Sequence, residues 1–417
     1  MASLVQIIRR NLTIFYPPHP AKAADAVRFG LLGASNIAPM AIIRPAVSHP
    51  EVIIAAVAAR DETKAQAYAK KHNIPVVFKS YQELLDDPSI DAIYIALPNG
   101  LHYEWTLKAL KAGKHVLLEK PSVSNASEAE ILFRHELLKG PDAPVLLEAF
   151  HMRFHPAWQS FLSLIDSPNV ETAYSSLSIF KGAFPNDDIR CVYDLSGGAL
   201  MDMGAYTVLS LRQIFGTEPE ECIECVPRLM PKGWDQKCDQ ASKAKFKFPN
   251  GGIGTVDVDL ALSGWFGQPA FSAPKCTVTH REALVEDRLP AEQEHVVVKT
   301  VTFYNNVLPT FWHRIDIVES HTIRNKESRK LIKSWTKKSS KKVYNWESQG
   351  DTKKPGEDHW TTYRHMLEQF VNKIKKREGS GVWMDGEDSI HQSAMIDSAY
   401  EKAGLPLRPS SKYKVEV

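Results

Sequence analysis

Between Val27 and about Leu147 the chain alternates two kinds of segment. Short, nearly continuous apolar runs (VRFGLLG, EVIIAAVAA, IPVVF, IDAIYIALP, HVLLEK, APVLLEAF) are separated by stretches with apolar residues every three or four positions (ETKAQAYAKKHN, SYQELLDD, HYEWTLKALKAG, ASEAEILFRHELLKG). Runs without a polar side suit strands buried on both faces, and three- and four-residue spacing suits helices. The pattern predicts repeated βαβ units and a parallel sheet. Gly113, just after Leu110 and Lys111, marks a helix C-terminus.

After about Pro156 the period drops to two. ETAYSSLSIFKG, ASKAKFKFPNGGIGTVDVDLAL, KCTVTH, EHVVVKTVTFYNN and WHRIDIVES alternate apolar and polar residues, and Asn250-Gly251 marks the clearest hairpin. Such segments predict an antiparallel sheet with one covered face. Helical spacing returns in HWTTYRHMLEQFVNKIKK and DSIHQSAMIDSAYEKAG. The expected fold is therefore α/β plus α+β. An N-terminal extension (1–26) precedes a Rossmann-type, doubly wound parallel sheet (27–150), followed by an open-faced, mainly antiparallel sheet domain (151–417) whose last helices return toward the first domain. The run from Arg324 to Lys342, RNKESRKLIKSWTKKSSKK, has one acid, Glu327, and reads as a solvated basic loop insertion within 320–356. With Trp335 as its only aromatic residue it offers no ladder for stacking bases.

Composition narrows the classes. A chain of 417 residues, 43% hydrophobic and 24% charged, accommodates two ordinary globular domains. A formal charge of +2 argues against a wholesale nucleic-acid or membrane binder, and no apolar run approaches the roughly 20 residues of a membrane span. Five cysteines, an odd number, read as reduced thiols in a cytoplasmic setting. Cys222 and Cys225 form a lone CxxC, so two strand residues are preferred to a metal site, and no metal is expected. The start, MASLVQIIRRNLTIFYPPHPAK, carries Arg9, Arg10 and Lys22 and no acid before Asp25. That resembles a weak mitochondrial presequence, but it is poor in serine, and a short amphipathic extension packed on the domain is the preferred reading.

The chemistry concentrates where strands end. In GLLGASNIA, Gly33 takes the tight-turn position of a dinucleotide fingerprint, Ser35 the second glycine position and Ala38 the third, with Asn36 and Ile37 between them. Backbone N–H groups at the following helix start would face a pyrophosphate. The second strand ends on Ala59-Arg60-Asp61; a guanidinium there suits a 2′-phosphate, which favours NADP over NAD. The strand HVLL stops on Glu119, Lys120 and Pro121, and the proline fixes the lysine at the strand's carboxyl end, the edge where open parallel sheets bind ligands. Pro98, Asn99 and His102 begin a loop and helix at the same edge, and in the second half Asp202 and Tyr206, four apart, share a helix face behind Gly197-Gly198.

Five of these stretches, GLLGASNIA, PNGLH, ALKAGKHVLLEKP, EAFHMRFHP and GGALMDMGAY, resemble the Gfo/Idh/MocA oxidoreductases in order and spacing, over Val27 to about Gly216. The wording is most similar to the branch with dimeric dihydrodiol dehydrogenases and NADP-dependent D-xylose dehydrogenases. The resemblance implies hydride transfer between NAD(P) and an alcohol carbon of a carbohydrate or cyclic alcohol, with D-xylose or a similar pyranose the best guess. It implies Lys120 as general acid/base or electrostatic aid, Tyr206 as the group accepting the alcohol proton through a phenol lowered in pKa by the nearby ammonium, and Asp202 orienting the pair or binding a substrate hydroxyl. Glu119 would brace Lys120 or the cofactor ribose, His102 would position the nicotinamide, and Arg153 and His155 would line the substrate cleft, a structural ion pair being an equal reading for Arg153. A homodimer or higher homo-oligomer through the C-terminal sheet is implied as well. Alternatives are a trans-dihydrodiol or ketone oxidoreductase, a redox-assisted glycoside elimination and a non-catalytic NADP-binding regulator.

Overall fold

In the computed structural model, which describes residues 4–185 and 188–414, the six apolar runs are the strands β1 (Val27–Leu32), β2 (Val52–Ala58), β3 (Val76–Phe78), β4 (Ala92–Ile95), β5 (His115–Leu118) and β6 (Leu146–Glu148). They form one parallel sheet in the order β3-β2-β1-β4-β5-β6. Phe29, Leu31, Ile93, Tyr94, Val116 and Leu117 are fully buried because helices cover both faces, which is why the runs lack a polar side. Strand order reverses between β1 and β4, and that reversal opens a crevice at their carboxyl ends. Local chemistry starts the crossover helices. Ser80 accepts from Glu83 N ahead of Tyr81–Asp86; Asn125 accepts from Glu128 N while Glu128 accepts from Ser124 N ahead of Ala126–Phe133.

The second sheet comprises β7 (Val170–Phe180), β8 (Glu221–Leu229), β9 (Asp239–Lys247), β10 (Ile253–Leu262), β11 (Lys275–His280), β12 (Ala283–Leu284), β13 (Gln293–Tyr304), β14 (Arg314–Asn325) and β15 (Leu331–Lys341). Its order is β15-β14-β13-β11-β7-β10-β9-β8, with β12 on β13, and every pairing is antiparallel except β7 with β10. Ala173, Phe246, Val256, Val258, Cys276, Val278, Val301 and Phe303 are buried on the face that carries the helix Ala205–Phe215. Cys222 and Cys225 lie in β8.

The basic run is corrected by the structure: most of it is not a loop but the edge strand β15, paired with β14 along its length. Alternation failed to mark it because both its faces are solvated, only Trp335 lying flat against the His321 ring at 4.9 Å. Lysines along such an edge discourage pairing with another chain.

Both ends of the chain tie the halves together. The helix Leu4–Phe15 docks through Ile14 and through Arg10, whose Nε donates to Thr310 O (3.0 Å) and whose guanidinium lies 3.5 Å over the Tyr344 ring. The helix Thr362–Ile374 returns to the first sheet, Phe370 meeting Phe29 at 5.9 Å, and Gly386–Lys402 packs on Ala126–Phe133. No helix among the described residues is long and apolar enough to cross a membrane.

Candidate active site

Two connected hollows lie at the carboxyl edge of the parallel sheet. The first, about 500 Å³, is lined by Gly33, Ser35, Arg60, Lys79, Tyr81 and Pro98 among others. The second, about 650 Å³, shares Ala34, Ser35 and Ala96 to Pro98 with it and runs on to Asn36, Ile37, Asn99, His102, Glu119, Lys120, Asp202 and Tyr206. The sequence-predicted residues are thus brought together with few exceptions. Ala38 is fully buried and opens the helix rather than facing the hollow, its N–H donating to Ser35 Oγ (3.3 Å).

The groove fits a dinucleotide. Gly33 has φ +100°, and a Cβ there would sit 3.2 Å from the Ala96 carbonyl and the Leu97 side chain, so only glycine keeps this backbone open to a ligand. Asp61 is spent capping the next helix, accepting from Lys64 N at 3.1 Å, while the exposed Arg60 side chain at the hollow's wall makes no such commitment.

Deeper in the crevice, β5 ends at Leu118 and presents Lys120 against the second half of the chain. Its ammonium lies 2.7 Å from Asp202 Oδ1 and 3.0 Å from the Asp202 carbonyl. Arg190 Nε holds the other carboxylate oxygen at 2.5 Å and its Nη1 bonds Asp188 Oδ1 at 3.0 Å. Burial alone would push the Asp202 carboxyl up, but the two cations hold it down to about 2, so it is an anion bridging Lys120 and Arg190. Asp202 sits in a π-helical turn, Leu200–Gly204, whose continuation brings Tyr206 onto the same wall. The preceding Gly198, at φ +129°, is pinned where a Cβ would strike Arg408 Nη2 and Asp239 Oδ1 at 2.3 Å.

Tyr206 departs from expectation. Lys120 faces its ring, 4.7 Å from the centroid, and spends its charge on Asp202; the phenol oxygen meets His151 Nε2 at 2.9 Å. Burial, together with Tyr363, Glu119 and Asp202 nearby, raises the phenol well above its usual value rather than lowering it. Glu119 Oε1 accepts from the Tyr94 hydroxyl at 2.7 Å, and burial raises its pKa against the pull of that hydrogen bond and of Lys120. His102 is buried between the carbonyls of Leu97 and Pro121, 2.9 Å from each, and burial lowers it to about 4. Asn99 Nδ2 donates to Ser196 O at 3.1 Å and ties the loop to the turn before Asp202.

Arg153 and His155 do not line the cleft. Arg153 is half of a buried ion pair with Asp388 (2.5 Å), and His155 accepts from Ala157 N as the cap of the helix Pro156–Leu162. The residues that reasoning from sequence passed over are Arg190, Tyr363 and His151, all on the cleft wall. His151 was legible by position: β6 ends at Glu148, so residue 151 lies nearer the ligand edge than 153 or 155.

Comparison with known proteins agrees with this geometry. Residues 27–140 match the profile described as oxidoreductase family, NAD-binding Rossmann fold, and residues 166–278 match the GFO/IDH/MocA C-terminal domain. The chain is 43% identical to an NADP-dependent D-xylose 1-dehydrogenase of Haloferax volcanii over 45% of its own length and 57% of that protein's. It is 32% identical to the mouse trans-1,2-dihydrobenzene-1,2-diol dehydrogenase over 57% of its own length and 69% of the relative's. A 3-ketoreductase from Actinomadura kijaniata, solved with NADP and TDP-benzene, shares the fold with a TM-score of 0.64 at 20% identity, over 90% of this chain and 98% of that one. The chain belongs to the Gfo/Idh/MocA family of oxidoreductases.

Proposed function

We propose that the protein is an NADP-dependent dehydrogenase that oxidises a sugar, with D-xylose or a similar pyranose as the first candidate, at its anomeric hydroxyl to a lactone. The observation that carries this reading is the Lys120-Asp202-Arg190 bridge beside Tyr206, deep in a groove whose glycine turn admits a dinucleotide. The uncommitted Arg60 supports the 2′-phosphate form, as do the NADP-linked relatives.

Gly33, Ser35 and Arg60 would hold the adenosine half, and Pro98, Asn99, His102 and Glu119 would frame the nicotinamide half, Asn36 and Ile37 flooring the passage between. When bound, the nicotinamide supplies the ring carbon that exchanges hydride with the alcohol carbon. The chain's own part is polar. Lys120, held by Asp202, places a positive charge where negative charge develops on the reacting oxygen. The Tyr206 hydroxyl, buried and protonated, exchanges the proton with that oxygen.

A second reading has its own support. Leu177, Ile179, Phe184, Ile189, Val307 and Leu308 give the cleft a broad apolar wall, which suits a cyclic diol such as that named for the mouse relative. The open face of the second sheet is a surface for self-association, which sedimentation at several concentrations tests. Reduction of NADP followed at 340 nm over a panel of pentoses, hexoses and cyclic trans-diols decides between the substrates: D-xylose as the best of the panel is the expected result. Turnover without net absorbance change points instead to glycoside elimination, and NADP binding with no turnover on any panel member points to a regulator.

A further inference from the structure

We propose that His151 is the proton acceptor behind Tyr206, so that the reacting hydroxyl and the imidazole exchange a proton through the phenol. The inference rests on the dehydrogenase reading but on a different set of atoms. His151 lies on the 3₁₀ turn His151–Phe154 just after β6 and is 1% exposed. Its Nε2 is 2.9 Å from the Tyr206 oxygen and its Nδ1 2.8 Å from Thr362 Oγ1, on the first turn of the helix Thr362–Ile374. The Tyr363 ring lies on the imidazole at 3.8 Å between centroids and fixes its plane. The turn and the helices Ala205–Phe215 and Thr362–Ile374 thus give both ring nitrogens a partner.

The arrangement solves a problem that Tyr206 alone leaves open. Its phenol is held well above its usual pKa by burial, so a phenolate is scarce at neutral pH and the hydroxyl has no base of its own. With Nδ1–H donating to Thr362, the bare Nε2 faces the Tyr206 hydroxyl, which is also hydrogen-bonded to the Tyr363 hydroxyl. During alcohol oxidation the substrate O–H bond breaks as a new O–H bond forms on Tyr206. The former Tyr206 O–H bond breaks as an N–H bond forms on His151, and the two electrons leave the carbon with the hydride. The groups facing His151 are Tyr206, Tyr363, Lys120 and, along its own turn, His155; burial and the Lys120 charge lower its pKa, so the ring rests neutral and holds an accepted proton only transiently. Reduction runs the same two transfers backward.

Two measurements test this. Nitrogen NMR of the ligand-free protein with labelled histidine is expected to find His151 neutral from pH 6 to 9, protonated at Nδ1 and bare at Nε2; a proton resident on Nε2 in that range overturns the proposal, whatever the substrate proves to be. With D-xylose and NADP, the wild-type kcat is expected to be flat between pH 6.5 and 9. His151→Gln keeps a side chain that hydrogen-bonds Tyr206 but carries no basic nitrogen. It is expected to lose about 100-fold in kcat at pH 7 and to regain about tenfold per pH unit as phenolate forms. A His151→Gln enzyme within threefold of wild type, with the same flat profile, overturns the relay and leaves His151 a packing residue. A wild type inactive on D-xylose defeats the substrate reading, and the tautomer then decides on His151 alone.

Discussion

Lys120 sits over the ring of Tyr206, 4.7 Å from its centroid, and not against its hydroxyl. The two side chains are neighbours with different partners: the ammonium meets Asp202, and the phenol meets His151 and Tyr363. On the proposed mechanism, charge and proton would reach the reacting oxygen from different residues and be separable by substitution.

Lys120→Met removes the charge while keeping the length of the side chain. Turnover is expected to fall about 10²- to 10⁴-fold, with NADP affinity, read by fluorescence titration, changed less than threefold. An equal loss in NADP affinity would make Lys120 a binding residue instead.

Arg60→Ala takes away the guanidinium at the groove wall while Asp61 continues to cap its helix. A charge-assisted hydrogen bond to phosphate is worth about 1.5–3 kcal/mol, so the NADP-to-NAD preference is expected to drop roughly 10- to 100-fold. Competitive binding of the two dinucleotides measures this directly; an unchanged ratio removes Arg60 from the cofactor assignment.

Arg408 enters from the C-terminal segment and is fully enclosed with Asp239, 3.0 Å away, while its Nε donates to Gly197 O at 2.7 Å. Arg408→Met leaves Asp239 with Tyr400, Ser242 and the Leu200 N–H as its donors among the described residues and is expected to cost about 3 kcal/mol in urea unfolding, a typical penalty for half of a buried pair. The turn carrying Asp202 loosens with it, so kcat is expected to fall in the protein that remains folded.

Acid weakens the fold. Burial lowers His49 to about 2, His365 to about 3, and His102 and His313 to about 4. The unfolded chain takes up these protons near pH 6.5 and the native protein does not, so their contribution is complete above pH 6.5 and is lost as the pH falls toward 4. Each group removes up to about 1.4 kcal/mol per pH unit in that window. Glu148 and Asp397, raised by burial to about 7 and about 6, act in the opposite sense. The urea midpoint at pH 5 is expected to lie clearly below that at pH 7.5, the four histidines outweighing the two carboxyls. Equal midpoints contradict the burial argument.

The parallel sheet and its carboxyl edge were legible because parallel strands buried on both faces leave an unmistakable apolar signature, and because Lys120-Pro121 stops one of them abruptly. Asp202 and Tyr206 were legible from four-residue spacing. Three features were not. β15 carries no period because neither face is covered. Arg190 reaches Asp202 from an irregular segment that no local pattern ties to it. The state of the Tyr206 phenol depends on how deeply it is enclosed and on which face of its ring the ammonium takes, and neither is a property of the nearby sequence. Arg153 shows the converse: a charged residue in a motif beside the site, consumed by Asp388 from a helix far along the chain.

Arg408 also sets the order of events in making the enzyme. The peptide turn that presents Asp202 closes around a side chain translated some two hundred residues later, so a growing chain can complete its parallel sheet on the ribosome before that turn has all its partners. Without Arg408 the turn before Asp202 would lack its contact to Gly197 O and its ion pair with Asp239.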